Sequence, residues 1–310
     1  MQYRACVREF FDWREKVSAS KETDAAVDGA LVRWMNAKYL LGHQASLGEK
    51  VFAGIMCLMP EFSRMGARCL PRSARCLKGW RKLCPSHSRR PLPWAAWCDI
   101  AAEMAREKQY LAACMCLVSV DAYLRPSEAV NLTCGSLMPP SAQGVNAWVL
   151  RLFPQEEAAR SKVGESDDTI SMDSPRLRWL APVFAQIAKR DKEERAFGMD
   201  YAQYLEIFSR AVSRMGLKAV PYQARHSGPS IDRAQGARTQ AECQKRGRWR
   251  SMKSLRRYEK HGRLNESWRD IGHEAQLFGR QCEAAIERIV LHGAAVPAIA
   301  TRRDTGQTLT

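Results

Sequence analysis

Three prolines fall within nine residues at Pro85-Ser-His-Ser-Arg-Arg-Pro-Leu-Pro93, beside two serines and with no apolar periodicity. Proline fixes φ and lacks an N–H, so neither a helix interior nor a central strand runs through such a segment. The chain is therefore read as two folded blocks joined by a linker at 85–93, with His87 a solvated loop residue. At 310 residues and 45% apolar composition, each block has enough chain for a core of its own.

The first block opens with a charged lead-in, 1–23, that reads as a short helix. A helical region follows at 24–84. Val27, Leu31, Trp34, Met35, Lys38 and Leu41 recur at spacings of three and four, and Gly42 ends the stripe. Leu47, Val51, Ile55, Leu58 and Met59 repeat the pattern up to Pro60. A third helix is expected over Pro71–Lys82, with Ser73, Cys76, Leu77 and Trp80 inward, giving a small helical bundle.

The second block, 94–275, reads as helices at 94–106, 108–121, 125–132, 177–190 and 201–215. On the last of these Tyr201, Leu205, Phe208, Val212 and Met215 share a face. Strand signals are confined to 147–153 and 169–172, around a polar turn at 156–168. Residues 276–310 read as a C-terminal helix that loses its periodicity near Val290 and gives way to a flexible tail. The expected fold class is mainly α with a small β-sheet, α+β.

Charge narrows the partners. The formal net charge is +16, and between Leu205 and Arg263 fifteen Lys/Arg face four acids. So concentrated a basic stretch points to a polyanion. Eleven cysteines without a Cys-x-x-Cys pair or a histidine at ligand spacing support neither a disulfide framework nor a zinc site. The N-terminus is too charged for a signal peptide. The longest apolar run, Tyr110–Val120, is too short for a bilayer span. An intracellular protein with no membrane partner is expected.

Within the basic stretch and well before it lie three segments: Asp-Ala-Tyr-Leu-Arg-Pro-Ser-Glu (121–128), Pro-Tyr-Gln-Ala-Arg-His-Ser-Gly (221–228) and Gly-Arg-Trp-Arg-Ser-Met-Lys-Ser-Leu-Arg-Arg-Tyr (247–258). In order and spacing, 94–263 resembles the catalytic domain of the tyrosine recombinases, the phage-integrase family of mobile elements. The 24–84 bundle sits where those proteins carry a core-binding domain. The resemblance implies that Arg125 and Arg225 clamp a DNA phosphate, since a guanidinium donates two parallel hydrogen bonds and keeps its charge. It implies that Glu128 supports Arg125, that Trp249 donates its indole N–H to the phosphate, and that Tyr258 is the nucleophile. Lys162 matches the family's lysine, general acid to the leaving oxygen.

Tyr222 departs from the pattern by standing where the family usually has histidine. A phenol still donates a hydrogen bond, but with a pKa of about 10 against about 6.5 it is a poorer proton carrier near neutrality. The adjacent His226 is out of register with that position and reads as a packing residue.

The implied reaction is cutting and rejoining of DNA strands through a phosphotyrosine intermediate, with no ATP, metal or other cofactor. No phosphate-binding glycine loop or carboxylate cluster for two-metal chemistry stands in the sequence. Double-stranded DNA is the implied partner, with self-association into a synaptic oligomer. Lys245, Arg246, Arg248, Arg250, Arg256 and Arg257 would neutralise the duplex backbone. The same run also reads as a nuclear-localisation segment. Two alternatives stay open: a DNA-binding protein of the same family that has lost cleavage, favoured by Tyr222, and relaxation of the type IB topoisomerase kind.

Overall fold

In the computed structural model the described residues are 2–17, 24–85, 88–152 and 168–297. His87, the turn carrying Lys162, and the tail beyond 297 lie outside them. The chain divides into two compact units, Met1–Ser88 and Arg89–Thr310.

The first unit is a bundle of four helices, α1 (Gln2–Val17), α2 (Asp24–Leu40), α3 (Ala45–Leu58) and α4 (Pro71–Leu83). The lead-in is corrected here: α1 is a full 16-residue helix that drives Val7 and the fully buried Phe10 into the core. Phe10 meets Trp34 of α2 edge to face, ring centroids 6.0 Å apart. Apolar residues at only two or three turns of a charged helix suffice for docking, which is why the charge of the segment misled. A buried carboxylate joins α2 to α4. Asp28 accepts from the backbone N–H groups of Arg72 (2.9 Å) and Ser73 (2.8 Å), satisfying two donors in the first turn of α4 that no intrahelical carbonyl reaches. Leu41 and Leu58, counted in the apolar stripes, are exposed at the helix ends.

The second unit is built around two helices buried on nearly every side, α5 (Trp94–Arg106) and α6 (Tyr110–Asp121). Apolar residues fill most of both, so neighbours have to cover them all round. Further helices supply the cover: α7 (Pro126–Asn131), α8 (Ala181–Ile187), α9 (Tyr201–Arg214), α10 (Ala224–Ala234), α11 (Gln240–Arg246), α12 (Met252–Leu255) and α13 (Arg263–Asp270). The 20-residue α14 (His273–His292) lies along α5. It keeps Ile286, Ile289 and Val290 in the core, so order persists past the point where periodicity fades in the sequence.

A three-stranded antiparallel sheet, β1 (Leu137–Met138), β2 (Val149–Leu152) and β3 (Asp168–Ser171), runs in the order β1-β2-β3. Leu150 faces Leu137 on one side and Ile170 on the other. The fold is mostly helical with this small sheet, an α+β arrangement. β1 has two residues, too few for any alternation to show in sequence. On α9 the buried face is Tyr204, Ile207, Phe208, Ala211 and Val212, while Tyr201 and Leu205 are exposed. Among the described residues no helix is long and apolar enough to cross a membrane.

Candidate active site

The site is assembled on the C-terminal end of α6. There Tyr123 takes a left-handed backbone conformation, φ 53°, and turns the chain sharply toward Arg125. Its ring is fully buried and its hydroxyl donates to Asp232 on α10 at 2.5 Å. Asp232 also receives Arg176 and Arg238, so one buried carboxylate anchors the hinge of the site. α10 can approach this closely because of Gly228: a Cβ there would stand 2.1 Å from the Val120 carbonyl oxygen and 2.3 Å from the Tyr123 ring. That contact fixes where the first turn of α10, carrying Arg225, sits.

Arg125 precedes α7, whose first residue is Pro126, a natural start because the missing N–H would have no intrahelical partner. Glu128 folds back to accept from the Arg125 backbone N–H at 2.7 Å and from its guanidinium. The same carboxylate receives Arg248 at 2.5 Å and lies 3.9 Å from Arg225. Burial pushes the Glu128 carboxyl up, but the guanidiniums of Arg248, Arg225 and Arg125 outweigh it and hold the group below the ordinary carboxylate value. Glu128 is thus the hub of three arginines drawn from separate segments.

Arg225 is fully buried. Its Nη1 donates to the Tyr123 carbonyl (2.5 Å) and its Nη2 to the Gly247 carbonyl (2.6 Å), while Nε has no partner. Burial, opposed by Glu128 and reinforced by Arg125 and Arg248, takes its pKa down to about 10, so it stays charged at neutral pH. The guanidinium lies 4.7 Å from the Trp249 ring centroid and 5.6 Å from that of Tyr258, within cation–π range of both.

The last segment folds around the Gly247–Arg248 turn. Arg248 is left-handed, φ 54°, and its side chain points inward to Glu128. Any side chain at 247 would strike the indole of Trp249, since a Cβ there would stand 1.8 Å from it. Ser251 caps α12, accepting from the Ser254 N–H at 3.2 Å, and Tyr258 follows. Trp249 and Tyr258 stack with ring centroids 5.0 Å apart. The buried Trp249 Nε1 has no hydrogen-bond partner. Trp34, Trp80 and Trp97 share that state inside the cores, so what sets Trp249 apart is its place against the Tyr258 phenol and the Arg225 guanidinium.

Tyr222 brings its hydroxyl to 3.4 Å from that of Tyr258. Burial and this bond raise the Tyr222 phenol, with Arg225 and Arg125 pulling the other way. Arg125, Glu128, Tyr222, Arg225, Trp249 and Tyr258 therefore meet in one place. Lys162 lies outside the described residues.

Two features were not legible. His226, read as packing, lies with its ring 4.8 Å from that of Tyr258, and its Nδ1 is buried without a partner. Burial, then Lys260, Arg89 and Arg225, lower it to about 4, so the imidazole is neutral at physiological pH. Arg89 lies 5.5 Å over the Tyr222 ring, a cation from between the linker prolines Pro85 and Pro91 that nothing in the motif spacing indicates.

The basic run divides into two sets. Lys245, Arg250, Arg256 and Arg257 are exposed. Arg246 and Arg248 are corrected: both are buried, Arg246 on Asp121 (2.7 Å) and the Ser171 carbonyl (2.8 Å), Arg248 on Glu128. They are internal struts, because carboxylates buried on α6 and α7 require cations.

No family model matches this sequence, and no curated protein matches it. Among solved structures the chain is similar to the crystal structure of XerA recombinase, at 12% identity and a TM-score of 0.40, over 86% of this chain and 98% of that one.

Proposed function

We propose that this protein is a DNA strand transferase of the tyrosine-recombinase type. The observation that carries the reading is the meeting of Tyr222, Arg225 and Trp249 around the Tyr258 phenol, with Glu128 tying Arg125 to Arg225. A phosphodiester is the substrate that such donors around a phenol would hold. In the proposed reaction the Tyr258 hydroxyl gives its proton to solvent as its oxygen attacks phosphorus, the bond to the 5′ oxygen breaks, and a 3′-phosphotyrosine remains. Lys162 gives a proton to the leaving oxygen. Arg125, Arg225 and Trp249 are donors placed before the charge develops, which is where fixed dipoles lower a barrier most. Tyr222 is a hydrogen-bond donor at the same phosphate. The exposed Lys245, Arg250, Arg256 and Arg257 neutralise the duplex backbone. Rejoining is the reverse, so bond energy is conserved and ATP is not needed.

A nicked substrate that loses its leaving strand traps the covalent adduct in this reading, with EDTA present. Tyr258→Phe removes the attacking oxygen and little packing, so it should bind DNA and form no adduct. An adduct in Tyr258→Phe would remove the assignment.

A second reading is favoured by Arg225, whose two terminal nitrogens are both taken by main-chain carbonyls and whose side chain has no exposure. In that reading the protein binds duplex DNA without cutting it. The parent then gives salt-sensitive binding and no adduct under the same conditions.

A further inference from the structure

A cavity of about 640 Å³ opens between α5, the end of α9 with the turn that follows it, and the turn joining α13 to α14. It shares no lining residue with the candidate active site. Met215, Leu217, Ile271 and Phe278 give it apolar walls, and Asp99 and Glu274 contribute carboxylates. An open cleft of this size, lined by polar and apolar groups in about equal measure, has room for a small molecule.

Asp99 distinguishes it from a packing defect. The residue is 3% exposed on α5, a helix buried along nearly its whole length. Among the described residues its one side-chain hydrogen-bond neighbour is the Cys282 thiol at 3.8 Å, a weak donor. Glu103, one turn further along α5, is fully buried, gives one oxygen to Arg106 and leaves Oε1 without a partner. The nearby arginines are engaged elsewhere: Arg214 holds Glu107 at 2.5 Å and Arg90 holds Asp270 at 2.6 Å. Besides these, His273 is the remaining titratable group on the wall. A buried carboxyl without a cation keeps its proton or recruits a cation. Burial, with Glu103 adding to it, raises Asp99 to about 8, so with no cation facing it the group is protonated at neutral pH.

We propose that this cavity binds a small organic cation, an ammonium carried on an apolar or aromatic body, with Asp99 receiving the ammonium and Glu274 adding a second carboxylate. Binding exchanges one proton for one cation: the Asp99 O–H gives its proton to solvent, and the carboxylate accepts an N–H from the ligand. Three acids on the wall against Arg214 disfavour an anion. Because the exchange releases a proton, apparent affinity falls about tenfold for each pH unit below 8.

The test is titration calorimetry of the full chain with phenethylammonium at pH 7, in two buffers of different ionisation enthalpy. The expected result is saturable binding with release of about 0.9 proton per ligand, and roughly tenfold weaker binding at pH 6. Asp99→Asn should abolish the proton release and weaken binding at least about tenfold. Leu217→Trp, which puts an indole into the cavity, should weaken binding with an unchanged melting temperature, and it decides the matter if Asp99→Asn does not fold. Hydrocinnamate, the same body with a carboxylate, should not bind. Absence of saturable phenethylammonium binding, equal binding of hydrocinnamate, or proton release that persists in Asp99→Asn would each overturn the proposal.

Discussion

Arg248 combines a left-handed backbone, φ 54°, with a guanidinium buried on Glu128, and the two features make opposite demands on a substitution. Replacing it with glycine relieves the backbone, worth about 1–2 kcal/mol for an L residue in this region, and gives back about 0.5–1 kcal/mol through the extra freedom of the unfolded chain. The same change removes a cation from a buried carboxylate. Breaking a buried pair costs about 3–5 kcal/mol when the remaining charge is left alone. Arg125 and Arg225 still face Glu128, so the loss here is toward the lower end of that range. Arg248→Gly should therefore destabilise the protein by about 2 kcal/mol net, and Arg248→Ala, which keeps the strain and loses the pair, by about 1 kcal/mol more.

In calorimetry on a unit of this size, 2 kcal/mol lowers Tm by about 4–8 °C. The pH profile separates this from a packing loss. The folded Glu128 carboxyl lies below its unfolded value, so its contribution is full above the unfolded value and is lost as pH falls through the folded one. Arg248→Gly should shrink that acid limb. Should Arg248→Gly prove more stable than the parent, or equal to Arg248→Ala, the account of Arg248 as a strained strut is wrong.

His226 has its folded pKa lowered from 6.5 to about 4, so the unfolded state takes up the proton first. Stability should be full above pH 6.5 and fall by up to about 3 kcal/mol on the way to pH 4, and His226→Phe should flatten that limb in urea titrations at stepped pH. Gly247→Ala drives a methyl into the Trp249 indole and should shift tryptophan emission and abolish adduct formation together; an unchanged spectrum with full activity would contradict the packing. Tyr222→Phe removes one hydroxyl at the phosphate and should slow cleavage by about 10²-fold, while Tyr222→His should restore it with a pH dependence near neutrality, read in single-turnover assays. A silent Tyr222→Phe would make the residue packing only.

Helices with a continuous apolar stripe, such as α2 and α3, were legible because burial there follows a local period. α9 shows the limit of that signal. Tyr201-Leu205-Phe208-Val212 and Tyr204-Phe208-Ala211 both satisfy spacings of three and four, and they share Phe208. Which stripe turns inward is decided by contacts such as that of the buried Tyr204 hydroxyl with the Cys116 thiol of α6, and that contact has no trace in the local pattern.

The candidate site divides in the same way. Residue types and their order were visible from 121 to 258, because an arginine, an indole and a phenol each carry their chemistry with them. Their engagement was not visible. Arg246 and Arg250 are alike in sequence, both cations in one basic run, yet Arg246 is buried on Asp121, 125 positions earlier, and Arg250 is exposed. A cation drawn inward by a buried carboxylate and a cation facing solvent have the same local signature, since the carboxylate that separates them lies far away in the chain. Counting the basic run therefore overstates the charge available to a duplex: of its six cations at 245–257 assigned to the backbone, Arg246 and Arg248 are spent inside. The salt dependence of DNA binding measures the difference directly, because its slope counts neutralised phosphates at about 0.9 each. Arg256→Ala should reduce that slope by about one contact, whereas Arg246→Ala should lower the melting temperature and leave the slope of the folded protein as it was. Equal loss of slope in both would put Arg246 back on the DNA surface.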